Sequence, residues 1–412
     1  MKEKPSYALH ANKARIPESS SKVKNTMHVI KVTPTKIYIT LKALISFAES
    51  LTVSIMVLFM QSRGLLFVDV GMVFTVTLGT LTFLNFPAGM LADRFGRKTS
   101  FLAGILLTAL SGIVYVISFT FLAFLFAAFL EGTGGAFIKG ALQAWIVDEL
   151  KASGQEHLTG DIFGKGLASY NLLTIPAGML VFLMDNFVAL YATKTAIYFL
   201  MFFVGVFFMK NNFGEKTATI LRFPKKSLVY LKQTRELWLL VGMISILWLC
   251  YDVYFLTWQP IMVQSGLSGN LLGILYSVVS VLSAGIAICS GKLSSKVRAH
   301  FLLFSAFVSI SFGFATMNQA FNILMVCFGL FLFSVGEAIF HPIYGRESNK
   351  HIPTEIRAAT VSLLFTISGV IAMMGQPILG YVADVYGVKF VLLNGALIAI
   401  IGVILALLGL KR

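Results

Sequence analysis

Six ionisable side chains stand inside long apolar stretches of this 412-residue chain: Glu49, Glu131, Lys139, Asp252, Glu337 and His341. A charge in hydrocarbon is costly, so such residues are expected to face a shared polar cavity and to act there on protons, ions or solutes. Four carboxyls stand against one ammonium and one imidazole. A carboxyl that water reaches poorly can load and release a proton near neutral pH, as proton coupling requires. One carboxyl is expected to pair with Lys139. The eight residues from Glu131 to Lys139 span about 12 Å of helix axis, so the partner stays open. Trp248, Tyr251, Phe255, Trp258 and Gln259 share a helical face with Asp252. Aromatic rings around a carboxylate suit a lipophilic cation. Trp258, near the end of its stretch, fits an interfacial anchor better.

A second concentration of charge lies at Gly89–Lys98, which reads G-M-L-A-D-R-F-G-R-K between two apolar stretches. Such a segment must leave the lipid, reverse sharply and re-enter. Asp93 sits where water is partial and can accept charge-assisted hydrogen bonds from Arg97. A related G-x-x-x-D-x-x-G at Gly380, Asp384 and Gly387 falls on the opposite side, where a plain glycine-rich turn is favoured over a weaker outer counterpart of this loop.

These residues need a membrane scaffold. The chain is 57% hydrophobic and 12% charged, about half the charge of a typical soluble domain. Continuous apolar runs, rather than short alternating ones, predict helices rather than a closed barrel. About twelve spans are expected, near 37–60, 70–92, 99–119, 121–146, 164–185, 188–209, 237–261, 269–290, 299–317, 320–343, 358–382 and 388–409. Residues 1–36 form a basic tail without the apolar stretch of a cleavable signal, so the first span is expected to target the chain to the membrane.

The net charge of +15 is unevenly placed. With the N-terminus inside, all but four of the 33 Lys and Arg fall on the cytoplasmic side, Lys42 among them at the foot of the first span. Arg63, Lys194 and Lys389 fall outside, and Lys139 within a span. That bias predicts both termini in the cytoplasm and a multi-pass protein of the cytoplasmic (plasma) membrane, with anionic lipid rather than nucleic acid as the partner of the basic charge. The three cysteines lie in spans of the second half and suggest packing rather than disulfides.

The chain also repeats itself. Met60-x3-Gly64-Leu65 recurs as Met262-x3-Gly266-Leu267, Gly71 as Gly273, Gly89-x-Leu91 as Gly291-x-Leu293, Gly134-x-Ala136 as Gly336-x-Ala338, and Gly178 as Gly380, always 202 residues apart. An all-α polytopic membrane protein of two pseudo-symmetric six-helix bundles is therefore expected. The bundles are 37–209 and 237–412, joined by a basic cytoplasmic linker at 210–236 with room for a short amphipathic helix. A site near the midplane between two such halves is a transporter architecture.

The Gly89–Lys98 loop resembles the signature loop of the major facilitator superfamily of membrane transporters. Gly89, Leu91, Asp93, Arg94, Gly96, Arg97 and Lys98 all match. The resemblance covers nearly everything after residue 36. It implies that spans 1, 4, 7 and 10, the spans holding the six ionisable residues, line the central cavity. It also implies that Asp93, with Arg97 and Asp148, latches one face shut by approaching a helix N-terminus in the other half. In the second copy of the loop Ser295 replaces Asp93.

The chain departs from proton-antiporter branches of that family. Ala128 and Glu131 replace an arginine and a glutamine in span four, and the glycines expected around Pro176 are missing. Symport, uniport and efflux of a lipophilic or cationic compound all stay open. No Walker A segment, metal-binding pattern or catalytic constellation is present, so neither an enzyme nor a cofactor or metal is expected. The expected function is alternating-access transport of a small solute, coupled to protons, by a monomer in the bilayer. The rival is a non-transporting ligand sensor on the same fold.

Overall fold

Lipid offers no partner to backbone N–H and C=O groups, so each apolar run closes its own hydrogen bonds as a helix. The computed structural model describes residues 33–213, 225–293 and 296–410. Most of the basic tail, the middle of the linker (214–224), Ser295 and the last two residues lie outside the described residues.

The first half comprises α1 (Pro34–Val53), α2 (Met56–Ser62), α3 (Phe67–Phe95), α4 (Arg97–Ile117) and α5 (Phe121–Ala152), then α6 (Thr159–Leu172), α7 (Thr174–Leu183) and α8 (Phe187–Phe208). A short helix α9 (Lys225–Gln233) follows. The second half comprises α10 (Arg235–Gln264), α11 (Leu271–Leu293), α12 (Ala299–Asn318), α13 (Ile323–His351), α14 (Arg357–Tyr386) and α15 (Val388–Leu410). Among the described residues 11 helical segments are long and apolar enough to cross a membrane, and α1 with α2 forms a twelfth, bent by 46°. The fifth span is also interrupted, between α6 and α7. The linker helix α9 is seated on the second half, with Leu231 buried and the Tyr230 hydroxyl donating to the His351 carbonyl at 2.9 Å.

Two turns explain the motif glycines. Gly96 ends α3 at φ +99° and Gly387 ends α14 at φ +84°, a backbone that side-chain-bearing residues rarely adopt. Each donates its N–H four residues back, to Ala92 and Ala383 at 3.0 and 2.9 Å. We call the side of the bundle holding the Gly96 turn and both described chain ends the Gly96 face, and the other the Asp384 face.

The 202-residue repeat is visible in the packing. A Cβ on Gly134 would strike the Gly104 carbonyl oxygen, and a Cβ on Gly336 would strike that of Ala306. The same close crossing thus joins α4 to α5 and α12 to α13. Four of the other repeated glycines, Gly71, Gly178, Gly273 and Gly380, line two seams between the halves. Gly178 of α7 meets Gly273 of α11, while Gly71 of α3 meets Gln376 and Gly380 of α14 meets Phe67. Each seam has a matching hydroxyl bond: Ser277 Oγ donates to the Thr174 carbonyl at 2.6 Å, and Thr75 Oγ1 to the Met373 carbonyl at 2.9 Å. Thr75 and Ser277 are themselves 202 residues apart.

Candidate functional site: a charged cavity and its seams

Lys194 is the centre of the first-half site. The sequence places it outside the membrane; the structure puts it within α8, 4% exposed, with Nζ 2.8 Å from Glu131 Oε1 and 3.0 Å from Glu49 Oε2. Thr52 Oγ1 accepts from the same ammonium at 3.3 Å. Tyr198 donates to Glu49, and Tyr115 donates to Glu131 Oε2 at 3.2 Å. A buried ammonium is tolerated only with such partners. The expected pairing of Lys139 with a carboxyl is therefore corrected: the paired lysine is Lys194. Lys139 is exposed and has no ion pair among the described residues. One carboxyl more than the ammonium balances remains in the cluster, and Glu49, 34% exposed, is its accessible member.

Asp252 in α10 stands one residue past Tyr251, the 202-residue counterpart of Glu49. It is 5% exposed. Gln376 Nε2 donates to its Oδ1 at 2.9 Å, while Oδ2 is buried with no hydrogen-bond partner. The other end of the Gln376 amide, Oε1, accepts from Thr75 Oγ1 at 3.3 Å, so this carboxyl reaches the α3–α14 seam through one side chain. Tyr251 turns elsewhere. Its hydroxyl lies 2.9 Å from His341 Nε2 and against the Glu337 carboxyl. Phe255 stacks on the Tyr251 ring at 6.0 Å, and Trp248 is partly buried against the core.

Two aromatic-face expectations are corrected. Trp258 is no interfacial anchor: it is 1% exposed and stacks between Tyr254 and Tyr276, at 6.0 and 6.3 Å. Gln259 binds backbone across the halves. Its Oε1 accepts from Val57 N at 2.9 Å and its Nε2 donates to the Val53 carbonyl at 2.9 Å, at the break between α1 and α2.

At the Gly96 face, Arg97 brings together the residues that the loop motif singled out. Its guanidinium lies 2.8 Å from Asp148 Oδ2 and 3.4 Å from Asp93 Oδ1. The closer contact is an ion pair rather than an aligned hydrogen bond, since neither Arg97 Nε nor Asp148 Oδ2 has a hydrogen-bond partner. Segment 209–213, which the sequence did not single out, folds beneath this cluster. Arg97 N donates to the Asn212 carbonyl at 2.9 Å, Lys98 Nζ to that of Val206 at 2.6 Å, and Trp145 Nε1 to that of Lys210 at 2.8 Å. Gly96 leaves room for Asn211, which a Cβ would strike. Gly89 meets nothing at its Cβ position, so it is not needed for close packing here. Arg94 lies over the Phe95 ring at 5.5 Å. Asp93 has no partner in the other half among the described residues.

The Asp384 face differs. Asp384 is no plain turn residue. Its two oxygens accept from Phe67 N at 2.9 Å and Val68 N at 2.8 Å, so a carboxylate of α14 caps the N-terminus of α3 across the halves. At the equivalent place in the other seam Asn270 Nδ2 donates to the Phe182 carbonyl at 3.4 Å. Each cross-half bond described above lies on or toward the Asp384 face. Glu49 is half-buried, and Lys139 and His341 are exposed within their spans. A separate cleft of about 180 Å³ at the Gly96 end of the second half, lined by residues such as His300, Glu347 and His351, lies away from these groups.

The same architecture recurs in solved transporters. The nucleoside transporter NupG superposes with a TM-score of 0.78 at 11% identity, over 92% of this chain and 100% of that one. A D-xylose–proton symporter does so at 0.69 and 11% identity, over 92% and 97%. An MFS-type transporter of Methanocaldococcus jannaschii is 21% identical across 87% of this chain and 93% of its own. YxaM, an MFS-type transporter of Bacillus subtilis, is 21% identical across 90% and 94%. A sequence profile described as Major Facilitator Superfamily matches residues 39–361, and the chain belongs to that superfamily.

Proposed function

We propose that this chain is a secondary transporter that moves a small solute by alternating access, coupled to protons. Both termini lie in the cytoplasm, so the Gly96 face is cytoplasmic and the described conformation is inward-open. One chain carries both halves and works as a monomer.

The observation that supports proton coupling is Asp252. An ionised carboxyl with one oxygen buried and unpartnered is costly. A bound proton neutralises it. Gln376 joins that carboxyl to Thr75 in the seam, so gaining or losing the proton changes what the seam must satisfy. Glu49, beside the shared ammonium of Lys194 and open to the cavity, is the second proton-accessible carboxyl.

The test is solute flux into proteoliposomes under imposed pH gradients, comparing wild type with Asp252→Asn and Glu49→Gln. Gradient-driven flux that loses its pH dependence in Asp252→Asn is expected. Flux indifferent to the gradient makes the protein a uniporter, and ligand binding without flux makes it a sensor.

A further inference from the structure

Two lysines lie on the Gly96 side of the acid cluster, Lys42 half-buried on α1 and Lys139 exposed on α5. Lys42 lies seven residues before Glu49 on α1, two turns along the same helical face. Lys139 lies eight residues after Glu131 on α5, about 12 Å along the axis. α1 runs away from the Gly96 face and α5 runs toward it, so both lysines stand below the acid cluster, on the open side, at similar depth. Lys194 ties Glu49 to Glu131 and so brings these two faces together. Lys42 and Lys139 consequently stand at a similar level on two neighbouring helices.

Neither has a hydrogen-bond or ion-pair partner among the described residues, although the chain has carboxyls nearby. Glu49 and Glu131 are turned to Lys194 and the phenols. Lys139 is exposed and Lys42 half-buried, so water screens part of their mutual repulsion, and an anion seated between them would relieve the rest. His341, 202 residues from Lys139 and so at the matching level of α13, adds an exposed imidazole whose ring nitrogen meets the Tyr251 hydroxyl.

We propose that Lys42 and Lys139 form an anion subsite of the cavity, and that the transported solute therefore carries a carboxylate or phosphate group. This rests on the transporter reading above and adds the substrate class. It also fits proton coupling, since an anion that moves with a proton carries little net charge across the membrane.

The test is thermal stability of the purified protein in neutral detergent. The probes are inorganic phosphate and the monocarboxylates acetate, butyrate, octanoate and benzoate, each acid against its amide. At least one anion should raise Tm in a saturable way while its amide does not. The shift should be lost in Lys42→Gln and Lys139→Gln and kept in Lys139→Arg. No anion shift in wild type, equal shifts from acid and amide, or a shift that survives both Gln variants would overturn the subsite.

Binding here needs no gradient, so a protein that binds these anions without transporting them fails the transporter reading alone. Gradient-driven flux of neutral solutes without anion binding fails the subsite alone. The same titration in phosphatidylglycerol and phosphatidylcholine nanodiscs separates a solute from a lipid headgroup. Equal shifts in both support the solute; loss of the shift in phosphatidylglycerol assigns the lysines to lipid and overturns the proposal.

Discussion

Replacing Asp384 by alanine should release the closed Asp384 face while leaving the fold in place. The carboxylate accepts two backbone N–H groups at the start of α3, at 2.9 and 2.8 Å. Losing a cap of this type costs about 0.5–2 kcal/mol, and the helix dipole adds about 0.3–1 kcal/mol for an exposed anion. Asp384 is exposed, so a net loss of about 1–2 kcal/mol is expected. That corresponds to about a 5- to 30-fold change in the ratio of closed to open molecules. Asp384→Asn keeps an acceptor and loses the charge, so it should fall between wild type and alanine.

The assay is a spin-label distance across the Asp384 face, with labels at Phe119→Cys and Phe321→Cys. Both positions are highly exposed, 71% and 83%, and one lies in each half. The native cysteines Cys250, Cys289 and Cys327 are free and would be replaced first. A new long-distance population is expected in the alanine variant, with Asn intermediate. An alanine variant whose distance distribution matches wild type would refute the idea that this cap holds the seam.

Three further outcomes follow from the same geometry. Lys194→Met should lower stability by about 3–5 kcal/mol by leaving Glu49 and Glu131 unpaired, and adding Glu131→Gln should recover part of it; a thermal melt of the two variants checks this. Gly178→Ala puts a methyl against the Gly273 carbonyl, so it should populate the conformation with this seam parted, read by the same spin-label pair; an unchanged distribution would argue that the seam has slack. Asp93→Asn should slow flux without reducing membrane insertion, because the Arg97–Asp148 pair persists without it; wild-type rates would remove Asp93 from the latch.

The spans, the repeat and the Arg97–Asp148 cluster were legible in the sequence because each rests on local pattern: apolar run length, a fixed offset and a loop motif. Lys194 was not legible. It stands seven residues into α8, where a cation looks like a loop flank to any hydropathy reading. The signal that was available is the charge balance, since four carboxyls within the spans need more than Lys139. Asp384 and Gln259 were misread for another reason. Both act on backbone groups of the opposite half, and sequence spacing reports only which residues share a helix face.

The break between α1 and α2 has a bearing on how that face opens. Val57 N–H and the Val53 carbonyl stand four residues apart, the spacing of one ordinary helical hydrogen bond. Gln259 has inserted its amide into that bond, taking the hydrogen with Oε1 and giving one back with Nε2. When α10 withdraws, the donor and acceptor it leaves behind are already suited to each other. They would close on each other if the 46° bend straightened. Under the alternating access proposed above, that bond would be exchanged rather than lost as the halves part, while the Leu58 N–H, which also meets Gln259 Oε1 at 3.4 Å, would turn to its own acceptor one turn back.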